Sequence, residues 1–261
     1  MKTHLFQVGD RQIRAEVVAL DKDGLLFDHH ALILELNRER MAAMMTTYND
    51  DPAFLIRWMR KSGIIAHIGL DGKPVADRCL PEGTAVLAST DDEVVTSAAI
   101  FMEELGLSWP DARTMALDVH TAADRSIHWW DVIVPRKGCP GIFKRLREKE
   151  IPYGIVTMDT ADRVRQMVDH VDDASKLSFV FSSSEITNCK PHPEAILKVA
   201  EKLGIKPNRI LMIGDLPVDM EMAHAAGAQC IGIPEGEYFA EELRVKADFF
   251  CGSLDEVLIL E

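Results

Sequence analysis

Val17-Val18-Ala19-Leu20-Asp21-Lys22-Asp23-Gly24-Leu25-Leu26-Phe27-Asp28 is the stretch that decides the fold. Its opening apolar run, rich in β-branched residues, has the pattern of a strand buried on both faces of a parallel sheet. The run stops at Asp21 and Asp23, one residue apart, and Gly24 then permits a tight turn. Residues two apart on a strand share a face, so both acids turn toward one site while Lys22 is expected to point away from them. In open α/β sheets ligands and chemistry gather at the carboxyl ends of strands, where this pair sits. Two acids so close repel each other unless a cation or a shared proton relieves them. The residues themselves leave three readings open: a hard-metal site, a nucleophile beside an acid/base, or a solvated turn, since Asp-x-Asp-Gly is also ordinary loop chemistry.

The bulk properties bound the answer. A chain of 261 residues, 47% hydrophobic and 27% charged, is long enough for a sizeable core in one large domain or two modest ones. A formal charge of -13 argues against nucleic-acid binding, which calls for a basic face, and against docking on anionic lipid. An anionic substrate stays open, because local cations and a bound metal outweigh the global sign. Met1-Lys2-Thr3-His4-Leu5 lacks the apolar core of a signal peptide, and no run approaches the roughly 18 apolar residues of a membrane span. Cys79, Cys139, Cys189, Cys230 and Cys251 are scattered without a Cys-x-x-Cys pair, which fits reduced thiols in a cytoplasmic setting.

Along the chain, residues 3–20 have the pattern of two strands joined near Val8-Gly9-Asp10, the second running into Asp21. After Asp28 the pattern turns helical: about Ala31 to Met45 with Asp28 as N-cap, Pro52 to Lys61, Asp91 to Leu105 after the cap candidate Thr90, and Asp111 to about Trp129. Gly69-Leu70-Asp71-Gly72-Lys73-Pro74 forms a turn, either a short hairpin or a loop. Trp129 and Trp130 are candidates for hinge packing. From Val132 strands and helices alternate, which implies parallel strands with right-handed crossovers.

Three features of the second half sit at strand ends or helix starts. Thr157 ends the apolar strand Tyr153-Gly154-Ile155-Val156, where its hydroxyl can hold an oxyanion or serve a helix cap. Lys190, in Asn188-Cys189-Lys190-Pro191-His192-Pro193, is presented from a loop stiffened by prolines. Gly214-Asp215-Leu216-Pro217-Val218-Asp219 follows the strand Ile210-Leu211-Met212-Ile213 and repeats the opening logic of a buried strand ending in carboxylates.

Asp-x-Asp-Gly, a strand-end Thr, Lys before Pro, and Gly-Asp-x-x-x-Asp, in this order, resemble the four motifs of the haloacid dehalogenase superfamily, and the resemblance covers essentially the whole chain. It implies an α/β fold with a Rossmann-like parallel sheet core, residues 1–28 and 135–261, and an inserted α-helical cap domain, residues 29–134. By the same resemblance Asp21 is the nucleophile that takes up the phosphoryl group, and Asp23 is the general acid/base. Thr157 and Lys190 hold the phosphoryl oxygens. Mg²⁺ is bound by the Asp21 carboxylate, the Asp23 backbone carbonyl and Asp215, with Asp219 supporting the metal waters or Lys190. Dehalogenases and phosphonoacetaldehyde hydrolases of the superfamily lack the second acid, so Asp23 favours phosphate-ester chemistry. Lys22 departs from the apolar residue common at its position.

The resemblance therefore implies a Mg²⁺-dependent phosphatase of a small phosphorylated metabolite, similar in layout to phosphoglycolate phosphatases. It would act without nucleic acid or membrane, as a monomer or small homo-oligomer. A phosphomutase of the β-phosphoglucomutase type is the neighbouring alternative, and a non-catalytic binding module on the same fold is the alternative from another class. Candidates for substrate contact are His29 and His30, just after the catalytic strand, and Arg60 and Lys61 in the cap, with Arg57 and Lys73 as further cap cations. Each of these cap cations reads more readily as part of a solvated helix face than as a substrate contact.

Overall fold

The computed structural model describes residues 1–48, 51–83 and 90–260. The chain divides into two compact units, one made of Met1–Asp28 with the chain from Ile133 onward, the other of His29–Val132.

The first unit opens with β1 (His4–Val8), β2 (Arg11–Ala15) and β3 (Val17–Leu20). After the insert it continues with α-helix Cys139–Glu148, strand Tyr153–Val156, helix Ala161–Val171, strand Phe179–Phe181, helix Glu194–Leu203, strand Ile210–Gly214, helix Pro217–Ala226, strand Gln229–Gly232, helix Ala240–Lys246, and the short strands Phe249–Phe250 and Leu258–Ile259. Beside β3, the strand Tyr153–Val156 pairs on one edge and Ile210–Gly214 on the other, both parallel to it. Phe179–Phe181, Gln229–Gly232 and Phe249–Phe250 extend this to a sheet of six strands, all parallel. The three central strands are buried along their whole length, the pattern their apolar sequences predict for a sheet covered on both faces. On one face Val17, Ala19 and Met212 pack with Ile196, Val199 and Met220 of the covering helices.

The N-terminal strands differ from the sequence expectation. The second expected strand does not run into Asp21 but breaks at Glu16, whose N–H donates to the Arg209 carbonyl at 2.8 Å. Before the break, β2 belongs to an antiparallel sheet of three strands with β1 and Leu258–Ile259; after it, β3 enters the parallel sheet. The two segments have different environments. Arg11–Ala15 keeps one polar face exposed, while Val17–Leu20 is buried on both, and a single straight strand cannot satisfy both demands.

The second unit holds α1 (His29–Thr47), α2 (Pro52–Lys61), β4 (Ile64–Ile68), β5 (Pro74–Cys79), α3 (Thr90–Leu105), α4 (Trp109–Ser126) and the single turn α5 (Trp129–Val132). It is not wholly helical: β4 and β5 form an antiparallel hairpin with a bulge between Ile65 and Ala66, closed by the Gly69–Lys73 turn. The bulge and the polar His67, Asp77 and Arg78 break the apolar alternation that would have marked these strands. The side chains of Thr90 and Trp129, to which a capping and a hinge-packing role were assigned, lie outside the described residues. Inside this unit the guanidinium of Arg40 in α1 makes a two-pronged, buried pair with Glu93 of α3, at 2.9 and 3.0 Å.

Cys79, Cys139, Cys230 and Cys251 are buried free thiols and Cys189 is exposed. Among the described residues no helix is long and apolar enough to cross a membrane.

The strand next to β3 depends on a residue without a side chain. A Cβ at Gly154 would overlap the Phe179 carbonyl and ring on the neighbouring strand. Gly154→Ala is expected to lower unfolding stability by about 1–3 kcal/mol, the usual cost of overpacking. Urea denaturation of the two proteins checks this, and an unchanged midpoint would contradict the packing account.

Candidate active site

Sheet register brings the acids together. Leu20, the last residue of β3, is level with Ile155 on one neighbour and Ile213 on the other. Asp21 therefore leaves the sheet between two strand ends, with Thr157 shortly beyond Ile155 and Asp215 shortly beyond Ile213. Its N–H is held by the Ile213 carbonyl at 2.9 Å. The next residues form a turn in which the N–H groups of Leu26 and Phe27 both donate to the Lys22 carbonyl, at 3.0 and 3.2 Å. Arg136 fixes this turn by donating to the Gly24 carbonyl and, at 2.8 Å, to that of Pro234.

Carboxylate oxygens of Asp21, Asp215 and Asp219 all lie within 4.8 Å of one another, and all three residues are buried. Among them stands the Lys190 ammonium, which donates to Asp21 Oδ1 and lies 2.7 Å from Asp219 Oδ1. The second contact is an ion pair without hydrogen-bond alignment. The other oxygen of Asp219 accepts the Leu216 N–H at 3.1 Å, so this residue also caps the helix it begins. Lys190 is carried by a loop whose Thr187 and Asn188 N–H groups donate to the Glu194 carboxylate at 3.0 and 2.8 Å.

The electrostatics follow from burial. Desolvation pushes the Asp21 carboxyl up to about 7; Lys190 opposes this, while Asp219 and Asp23 add to it. Asp215 is raised well above the ordinary carboxylate range, by burial first and then by the neighbouring Asp21 and Asp219. Burial works against the charge of Lys190, but Asp21 and Asp219 outweigh it and hold its pKa above that of a free lysine. Three buried carboxylates thus face one ammonium.

The donor set fits a hard divalent cation. Every candidate ligand is an oxygen, and Asp215 Oδ1 is buried without a hydrogen-bond partner in the protein. Gly24, at φ +78°, brings its backbone so close to Asp215 that a Cβ there would overlap that carboxylate. A second set of metal-competent donors, His224, Cys230 and Asp248, shares no residue with this site and forms a hydrogen-bonded cluster of its own.

Asp23 lies beside the three-acid cluster, partly exposed, with Oδ1 bonded to the Lys22 ammonium. The expectation that Lys22 points away from this acid is therefore wrong. The strand ends at Leu20, so the alternation on which the expectation rested does not extend through the turn. Lys22 is instead fully buried, with Asp159 Oδ2 at 2.9 Å and Met167 Sδ at 3.2 Å. Thr157 is buried, and its Oγ1 accepts the Asp159 N–H at 3.1 Å. Sequence reasoning missed Asp159 and Arg163, which pair at 3.0 Å. Their i,i+4 spacing at a helix start was the available signal.

The residues expected to touch substrate belong to the inserted unit. His29 and His30 begin α1. Arg60 donates to the Ala66 carbonyl at 3.1 Å, and Lys61 pairs with Glu103 at 2.8 Å and Glu104 at 2.7 Å. Arg57 donates to Glu104 at 2.7 Å.

A buried cluster of acids suited to a cation, at the carboxyl edge of a parallel sheet and with a lysine held against an aspartate, is the arrangement of an α/β protein that handles a charged ligand. The chain belongs to the haloacid dehalogenase-like hydrolase family, whose model matches residues 90–233, more than half of its length. Asp21 and Asp23 lie outside the matched span. The chain is 32% identical over 114 residues to the phosphoglycolate phosphatase of Escherichia coli K12, across 43% of this chain and 45% of that enzyme. It thus spans less than half the length of that curated relative. Among solved structures, a predicted phosphoglycolate phosphatase from Haemophilus somnus superposes with a TM-score of 0.64 at 14% identity, over 92% of this chain and 95% of that one. The β-phosphoglucomutase of Clostridium difficile gives 0.57 at 17% identity, over 93% and 92%. At such identities the likeness shows the fold.

A pH dependence follows from the raised acids. Between the ordinary carboxylate pKa and about 7 the folded chain holds protons on Asp21 and Asp215 that the unfolded chain has lost, so stability falls as pH rises through this window. In EDTA the protein is expected to be more stable at pH 5 than at pH 8, by on the order of a few kcal/mol. Asp215→Asn should flatten the trend. Urea titrations across this range check it, and stability rising toward pH 8 would refute the assignment.

Proposed function

We propose that the protein is a Mg²⁺-dependent phosphatase that hydrolyses a small phosphomonoester, a sugar phosphate or a phosphoglycolate-like compound, through an aspartyl-phosphate on Asp21. The observation that carries this reading is the buried Asp215 oxygen left without a protein partner beside Asp21, in a site with more carboxylates than cations.

Mg²⁺, held by the Asp21 carboxylate, the Asp23 backbone carbonyl and Asp215, would supply positive charge opposite the phosphoryl oxygens. The remaining work falls to the chain. An oxygen of Asp21 attacks phosphorus as the ester bond to the alcohol breaks, and Asp23 gives the departing oxygen its proton. Asp23, now a carboxylate, takes a proton from water, whose oxygen attacks the same phosphorus; the bond to Asp21 breaks and phosphate leaves. Each protein group returns to its starting state. The covalent intermediate exchanges one difficult displacement for two easier ones. Lys190 and Thr157 hold the phosphoryl oxygens, and Lys190 also opposes the burial that would protonate Asp21 near neutral pH. Positioning and charge neutralisation of this kind supply most of the catalysis in phosphoryl transfer.

The 29–132 insert is read as the cap that selects the organic part of the substrate. There Lys61 pairs with two glutamates and Arg60 donates to the Ala66 carbonyl, so His29 and His30, which begin α1 soon after Asp23, are the first candidates by position. The name of the Escherichia coli relative makes a small phosphorylated acid the first compound to try.

Hydrolysis of p-nitrophenyl phosphate, followed by a metabolite panel, tests the reading. Turnover is expected with Mg²⁺, none in EDTA, and a loss of at least about 10²-fold in Asp21→Asn and Asp23→Asn. Isomerised sugar phosphate in place of free phosphate would move the chain to the mutases. Turnover unaffected by Asp21→Asn would overturn the mechanism.

A further inference from the structure

We propose that Lys22 is a positioning residue for Asp23, and that together with Asp159 it forms an ionic strut between the turn after β3 and the turn after the strand Tyr153–Val156. The inference rests on the reading of Asp23 as the proton-transfer group and deepens it.

The starting observation is a lysine with no solvent exposure, lying between two acids in the Asp21-Lys22-Asp23 segment. A buried ammonium persists only where its charge is matched and its donors are used. Lys22 donates to Asp23 Oδ1, lies 2.9 Å from Asp159 Oδ2 and reaches the Met167 sulfur at 3.2 Å. Burial alone would lower its pKa, but Asp159 first and then Asp23 reverse the effect and keep it charged.

Asp159 is itself bonded on several sides. Its Oδ1 takes the Arg163 guanidinium at 3.0 Å and the Thr160 N–H at 2.7 Å. Its N–H donates to Thr157 Oγ1 at 3.1 Å, and its carbonyl accepts the Ser183 N–H at 3.0 Å and the Ser183 hydroxyl at 3.2 Å. The Lys22 ammonium is placed by its contact with this well-bonded carboxylate. The bond from the Lys22 ammonium to Asp23 Oδ1 then constrains the rotation of this partly exposed carboxylate. The same strut ties Asp23 to the loop that carries Thr157, so the groups assigned to proton transfer and to the phosphoryl oxygen are placed by one network.

The charge accounting agrees. Lys22 and Arg163 match Asp23 and Asp159 one for one, so the strut forms a neutral set and takes no negative charge from the cluster that faces the cation. A lysine at this position without Asp159 would repel a metal ion nearby. Asp159 offsets that charge while Lys22 holds its neighbour.

The test compares the full chain with Lys22→Met, Asp159→Asn and the double variant in Mg²⁺. It measures kcat and KM on the phosphomonoester the wild type turns over best, and competitive inhibition by inorganic phosphate. Misplaced proton transfer is expected to lower kcat by about 10–100-fold while KM and phosphate inhibition stay within about threefold. The double variant should lose no more than the worse single one, because both remove the same strut. Should Lys22→Met fail to fold, Asp159→Asn, which keeps the shape and removes the charge, reads the same split. Unchanged kcat, phosphate affinity lost in step with kcat, or additive losses would each overturn the proposal. Failure of the wild type and Asp21→Asn alike to turn over any phosphoester would instead bring down the phosphatase reading, and this role with it.

Discussion

One ammonium among three buried carboxylates is the constraint on which the rest of this structure turns. A folded chain of this size has many cheaper ways to arrange four such groups, since ionised acids out of water cost several kcal/mol each unless they are paired and bonded. The imbalance persists because the sheet imposes it. Asp21 and Asp215 end neighbouring parallel strands, Asp219 begins the helix that follows, and Lys190 comes from a loop held by its own glutamate. The three acids cannot relax without breaking a ladder, a cap or a buried strand, nor Lys190 without freeing its loop from Glu194. The fold thus holds a deficit of cations relative to acids at one edge of the sheet.

Next to that deficit stands its opposite. The Lys22, Asp23, Asp159 and Arg163 set is charged throughout yet balanced, and most of its polar atoms have partners. The two clusters share the turn after β3 but respond differently to their surroundings. The first has acids in excess and a buried Asp215 oxygen without a protein partner; the second pairs each acid with a cation. Separating charge that must be supplied from charge that must stay still lets adjacent residues, Asp21 and Lys22, do unrelated work.

The sequence showed the strand ends and the acids clearly because two strong regularities meet there. Uninterrupted apolar runs mark strands buried on both faces, and ligands gather at the carboxyl ends of such strands, so Asp21, Thr157 and Asp215 could be located from pattern alone. What stayed hidden belongs to tertiary structure. The break at Glu16 depends on an acceptor, the Arg209 carbonyl, nearly two hundred residues away in sequence. The direction of Lys22 depends on where the strand stops and on Asp159 across the sheet edge. The β4–β5 hairpin was obscured by a bulge and by polar residues, so its strand period barely shows. Arg60 and Lys61 read as available cations, whereas a carbonyl and two glutamates of the same unit already engage them.

The glycines show how the two acidic motifs depend on each other. Gly24, which follows Asp23, lies against the carboxylate of Asp215; Gly214, which precedes Asp215, lies against that of Asp219. Each would overlap that acid if it carried a Cβ, and only Gly24 also needs its positive φ. The glycine of the first motif therefore has a second duty beyond turning the chain: it lets backbone approach an acid contributed by the other motif. An Asp-x-Asp-Gly at a strand end is then only half of a site. It becomes a site when a second buried strand, one register away, delivers an acid into the space its glycine leaves open.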